Sequence, residues 1–241
     1  MIEIKRHIPN ALTCGNLMCG VFGLMQVFEG NLEMASIFIG IALICDWLDG
    51  FVARLLHVSS PIGKELDSLA DMVTFGVLPA FMLLKLIENS CVTGTCTVGM
   101  FGFYKPHIAF ALAVFSALRL AKFNIDTRQS ESFIGVPTPA NAMVVASFPF
   151  ILKFNPELSP YILNFNVLVI YAILMSYLLV AELPLFALKF KNFTWKDNQI
   201  KYIFLILSVI LLILLNFVAI PVVIFLYILL SITSPLIFKG N

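Results

Sequence analysis

Hydrophobic positions divide the chain into eight apolar stretches: 10–28, 32–56, 65–88, 106–123, 138–154, 160–188, 200–216 and 219–237. Most are close to the roughly 20 residues that a helix needs to cross a bilayer. Short polar breaks separate them, so consecutive helices are expected to be antiparallel neighbours. Pro137, Pro139 and Pro149 interrupt the fifth stretch. The last two could be read as one long helix, but Asn216 and Pro221 predict a tight reversal between them. The expected fold is an all-α polytopic membrane protein, one integral-membrane domain over residues 1–241.

Composition excludes the soluble alternative. The chain is 60% hydrophobic and 12% charged, where soluble domains are about 25% charged. Its mean hydropathy is +0.98. A net charge of +1 gives no electrostatic footprint for nucleic acid. No cleavable signal peptide is expected, because the apolar stretch after Glu3, Lys5, Arg6 and His7 is long enough to span.

Charge also predicts orientation. With the N-terminus in the cytosol, every lysine and arginine except Lys85, Lys105 and Lys153 falls on the cytosolic side. Both termini are then cytosolic, and the expected location is the cell inner membrane. The basic, aromatic segment 189–201 is expected to lie against anionic headgroups. Polar segment 124–137 is a candidate loop over the functional site. Cys91 and Cys96 share one outward loop, where a disulfide is an option.

Candidate chemistry concentrates in residues 46–71, DWLDGFVARLLHVSSPIGKELDSLAD. Asp46, Asp49, Gly50 and Ala53 share one helical face, and Gly63, Asp67 and Asp71 share another. A carboxylate at membrane depth is costly unless paired, hydrated or bound to metal. Arg54 and Lys64 can neutralise only part of four acids. Intramembrane acids also serve ion pathways, so a cation transporter is one reading. The other is a divalent-metal site for a phosphorylated substrate. Four carboxylates can hold two ions, and an ion pair can clamp a diphosphate. Gly50, Ala53 and Gly63 leave room for a ligand, and Arg54 can fork onto a phosphate.

The spacing D-x2-D-G-x2-A-R-x8-G-x3-D-x3-D, from Asp46 through Arg54 and Gly63 to Asp71, resembles the CDP-alcohol phosphotransferase family without departure. The resemblance implies a membrane core of six helices, placed here at residues 8–188, with the two helices of 200–237 added to it. It also implies a divalent metal, Mg or Mn, and a homodimer. The implied reaction moves a phosphate-linked group from a CDP-activated donor to an alcohol and releases CMP. The carried-over roles make Asp46, Asp49, Asp67 and Asp71 metal-binding, with Asp71 also the general base. Gly50, Ala53, Arg54 and Gly63 would line the nucleotide and diphosphate pocket.

Further segments resemble the phosphatidylserine synthase subgroup. They are IPNALTCGNLMCG near the start, ALRLAKFN at 117–124 and FIGVPTPANA at 133–142. Lys122 stands where arginine is commoner, and Val136 where leucine is commoner. That resemblance implies CDP-diacylglycerol as donor and L-serine as acceptor. Asn10, Thr13 and Asn16 would face the nucleotide. Arg119, Lys122, Asn124, Thr138 and Asn141 are candidates for the serine site. Glu182 could pair with a lysine or hold the serine ammonium. Relatives using glycerol phosphate or an inositol phosphate remain alternatives, and those acceptors call for a larger basic cluster.

Overall fold

The computed structural model describes residues 2–58, 60–92, 102–126, 133–186 and 194–237. Cys96, Arg128, Lys189 and Lys191 lie outside the described residues, and so do the proposed disulfide and parts of segments 124–137 and 189–201. The fold is almost entirely helical. Helix α1 spans Ile2–Phe28 and α2 spans Leu32–Leu55. Helix α3, Pro61–Asp71, continues through a π-helical turn, Met72–Val77, into α4, Leu78–Val92. A 3-10 turn at Gly102–Ala109 leads into α5, Phe110–Ile125. Then follow α6, Thr138–Phe154; α7, Ser159–Ile162; α8, Phe165–Val180; α9, Trp195–Leu215; and α10, Ala219–Ile237.

Local chemistry sets the helix starts nearest the acidic segment. Asn31 Oδ1 accepts from the Met34 amide at 3.1 Å and caps α2. Ser60 Oγ accepts from the Gly63 amide at 3.0 Å, and Pro61 occupies the first turn of α3.

The run 61–91 is the central post of the molecule. About 72% of its apolar stretch is buried, against 28% in α1, α2 and α5. Leu78, Met82, Leu83, Leu86 and Ile87 of α4 fill the core with α6 and α8. The exposed apolar faces, Ile206, Val209 and Ile213 of α9 among them, suit hydrocarbon.

Each of the eight apolar stretches carries helix. By length and apolarity, five helical runs can cross a membrane, or six if the pair 156–162 and 165–180, bent by 66°, is one span. Two features separate that number from eight. Helix α6 has only 17 residues. Residues 198–233 count as one 36-residue run, yet Asn216 at φ 49° breaks it. The Phe204 and Tyr227 rings meet at 5.5 Å, so α9 and α10 fold back on each other. This is the reversal expected at Asn216.

The sixth stretch stops being helical at Val180 rather than continuing to 188. Residues Pro184–Leu185 (β2) pair antiparallel with Phe133–Ile134 (β1). The Gly135 amide donates to Leu183 O at 3.1 Å and the Val136 amide to Leu178 O at 3.0 Å. Gly135 has φ +75°, and a Cβ there would lie 2.5 Å from Leu179 O. Only glycine fits this clip without strain.

Candidate active site

Helix α2 delivers Asp46 and Asp49 one turn apart, and α3 delivers Asp67 and Asp71 one turn apart. One carboxylate oxygen from each of Asp46, Asp49 and Asp67 lies within 4.8 Å of the others. Asp49 and Asp71 are buried, at 7% and 9% exposure, and Asp46 and Asp67 are half-buried. Asp71 interacts electrostatically with all three of the others. Among the described residues, no lysine or arginine forms an ion pair with any of the four. Lys64 instead reaches α5, where its Nζ donates to Asn124 O at 2.8 Å.

Helix α1 supports this cluster. Thr13 Oγ1 donates to Asp49 Oδ2 at 2.6 Å. Asn16 Nδ2 donates to Asp71 Oδ1 at 3.0 Å. Thr74, in the π-helical turn just after Asp71, donates to Asn16 O at 3.1 Å. A Cβ on Gly20 would run into Thr74, 3.1 Å from its Cα, so the two segments touch backbone to backbone. The acid cluster is therefore braced from two sides. π-Helical turns are rare and frequent at functional sites.

A cavity of about 280 Å³ opens beside Asp49 and Asp67. Asn10, Thr13, Gly50, Ala53, Ser60, Gly63 and Lys64 complete much of its wall. A Cβ on Gly63 would meet Asn10 Oδ1 at 3.0 Å, so glycine keeps α1 and α3 close. The Arg54 guanidinium folds back over Gly50, 3.6 Å from where a Cβ would be. Asn16 is fully buried behind Asp71 and does not line this cavity.

A divalent cation suits the cluster. The donors are hard carboxylate oxygens that already converge, and Asp67 Oδ1 is buried with no hydrogen-bond partner. The acidic cluster could thus bind a metal.

A second cavity, of about 310 Å³, is lined by Arg119, Lys122, Phe123, Asp126, Ile134 and Glu182 among others. Arg119 is 7% exposed, its Nε has no partner, and its guanidinium sits 5.9 Å from the Phe123 ring. It interacts electrostatically with Asp71, which links the second cavity to the acid cluster.

Asn124, Thr138 and Asn141 do not line this cavity, and Thr138 Oγ1 and Asn141 Nδ2 are buried with no hydrogen-bond partner. Asn124 Nδ2 donates to Ser68 Oγ at 2.9 Å, toward α3. Thr138 and Asn141 are fully buried in α6, and Asn141 Oδ1 accepts from the Tyr171 hydroxyl at 2.8 Å. Sequence reasoning missed Thr74 and the π-helical turn, for which the apolar run MVTFGV gives no signal. It also missed Ser60 as a wall residue, although Ser-Pro is a legible helix start.

The model of the CDP-alcohol phosphatidyltransferase family matches residues 6–177. The chain belongs to this family of membrane enzymes, and the ion-pathway reading falls away. It is similar to a CDP-diacylglycerol–serine O-phosphatidyltransferase of Bacillus subtilis, 34% identical over 152 residues, 63% of this chain and 79% of that protein. A Helicobacter pylori (strain J99) protein of the same name is 36% identical over 139 residues, 57% of this chain and 54% of its own length. An archaetidylserine synthase of Methanothermobacter thermautotrophicus is 29% identical over 157 residues, 63% of this chain and 61% of its own. The chain therefore spans little more than half of the Helicobacter protein.

Proposed function

We propose that this chain transfers the phosphatidyl group of CDP-diacylglycerol to L-serine, giving phosphatidylserine and CMP. The observation that carries the reading is the acid cluster, which lines one cavity and interacts electrostatically with the arginine of a second. One is walled by small residues beside Asp49 and Asp67, the other holds the buried Arg119. The bacterial relatives named above use serine by name, and the archaeal one makes a serine lipid by name.

In this reading the cytidine diphosphate lies against Asn10, Thr13, Gly50, Ala53, Arg54 and Gly63. The acyl chains of the donor's diacylglycerol stay in the bilayer. Asp46, Asp49, Asp67 and Asp71 would hold the divalent ions, Mg or Mn and two in number, which would supply charge neutralisation of the diphosphate and polarisation of its phosphorus. Arg119 and Lys122 orient the serine carboxylate. Asn16 engages Oδ1 of Asp71, which leaves Oδ2 to take the serine hydroxyl proton. The serine oxygen bonds to the phosphorus that bears diacylglycerol, and the bond from that phosphorus to CMP breaks. A direct displacement is favoured because no Ser, Cys or His of the site has a partner base that would make it a covalent nucleophile.

The site opens to the cytosol in this account. Of the lysines and arginines in the chain, twelve fall on that side and three, Lys85, Lys105 and Lys153, on the other. That bias favours a cytosolic N-terminus. The enzyme works as a homodimer, as the family resemblance implies.

An acceptor screen tests the reading. Purified protein in micelles containing CDP-diacylglycerol is given L-serine, glycerol 3-phosphate or inositol phosphate, and CMP release is measured. Serine alone is expected to support turnover. Turnover with a phosphorylated alcohol and none with serine would overturn the assignment.

A further inference from the structure

The second cavity carries charges of both signs. Arg119 and Lys122 come from α5, Asp126 follows the end of α5, and Glu182 lies between α8 and β2. Its volume of about 310 Å³ falls at the lower end of the roughly 300–1,000 Å³ usual for small-molecule sites. A pocket for a phosphorylated alcohol needs only cations. One that takes a free amino acid needs an anion as well, opposite the cation.

Two observations make this a built pocket rather than a chance groove. Arg119 is more than nine-tenths buried with an unpartnered Nε and forms no ion pair among the described residues, so the wall presents a buried cation with an open donor. The segment of the wall that carries Glu182 is held in place by the clip described above. The Gly135 and Val136 amides engage Leu183 O and Leu178 O, which fixes the turn that carries Glu182. Gly135 could not accept a side chain there without displacing Leu179 O. Among the described residues Glu182 forms no ion pair.

We infer that Glu182 is a specificity residue that binds the α-ammonium of the acceptor while Arg119 binds its carboxylate, so that the pocket selects zwitterionic amino alcohols. The inference rests on the serine reading and adds the half of the pocket that recognises the amine. Selectivity of this kind comes from leaving a charge unpaired when the wrong acceptor enters.

The test compares L-serine with 3-hydroxypropionate, which keeps the alcohol and the carboxylate and lacks the amine. Full-length wild type, Glu182→Gln and Glu182→Asp are assayed for CMP release with each acceptor varied. Glu182→Gln is expected to raise the serine KM about fivefold, the modest size suited to a solvent-accessible ion pair. The KM for CDP-diacylglycerol should stay unchanged and the KM for 3-hydroxypropionate should not rise, so discrimination narrows by at least the same factor. Glu182→Asp should recover part of the serine KM, which a loss of folding would not. An unchanged serine KM, or an equal loss with both acceptors, overturns the inference and leaves the serine reading standing. A wild-type protein with no serine-dependent CMP release overturns the serine reading, and this inference with it.

Discussion

The cavity beside Asp49 and Asp67 is walled by three consecutive helices, α1 to α3, whereas the cavity beside Arg119 gathers α5, β1 and the end of α8. In the first, the polar groups sit one helical turn apart on neighbouring helices. Hydrogen bonds from Thr13 and Asn16 hold two of the acids, and close backbone approaches at Gly20 and Gly63 hold the helices. In the second, residues far apart in sequence meet only because a short strand pair closes on a helix end. The contrast separates two tasks. The first cavity suits the chemistry shared across the family, and the second suits the choice of acceptor.

Substitutions on the two sides should therefore fail in different ways. Asp67→Asn should produce the largest effect. It removes one anionic oxygen donor from the converging three, and turnover should fall at least about a thousandfold, roughly 4 kcal/mol, while thermal stability in detergent is kept. Turnover within about tenfold of wild type would take Asp67 out of the metal site.

Asn16→Ala should come next. It releases Asp71 Oδ1, so kcat should fall about a hundredfold, in the range expected for a misplaced general base. Neither substrate KM should move, because Asn16 lines neither cavity. A change confined to either KM would show that Asn16 contacts substrate instead.

Arg119→Lys should have the smallest effect and belongs to the other side. Charge and topology are kept, but the bidentate fork is lost. The serine KM should rise about tenfold with the CDP-diacylglycerol KM unchanged. Movement of the lipid KM instead would assign Arg119 to the donor phosphate and blur the division between the cavities.

The same contrast explains what could be read from the chain. The aspartate constellation was legible because a helix converts spacings of three and four residues into one face, and Asp46, Asp49 and Asp67 do converge. The eight apolar stretches were legible as helices, since burial and lipid contact both demand apolar runs. The π-helical turn at Met72–Val77 was not, because nothing in its composition distinguishes it from α-helix. Neither was the end of α8 at Val180, which depends on the Gly135 and Val136 amides, far earlier in the sequence, bonding to Leu183 O and Leu178 O. Asn124, Thr138 and Asn141 were candidates because segments 117–124 and 133–142 resemble the phosphatidylserine synthase subgroup. Tertiary packing bonds Asn124 to Ser68 and Asn141 Oδ1 to Tyr171, and leaves Thr138 Oγ1 and Asn141 Nδ2 without a hydrogen-bond partner, which sequence cannot show.

The central claim is that the clustered aspartates hold the divalent ions on which phosphatidyl transfer depends. The most direct test follows serine-dependent CMP release from CDP-diacylglycerol in protein stripped by chelator, with metal content verified, then titrated with Mg or Mn. The account predicts no CMP release without metal and full recovery on its return, with recovery abolished in Asp67→Asn. Undiminished release from verified metal-free protein would contradict it.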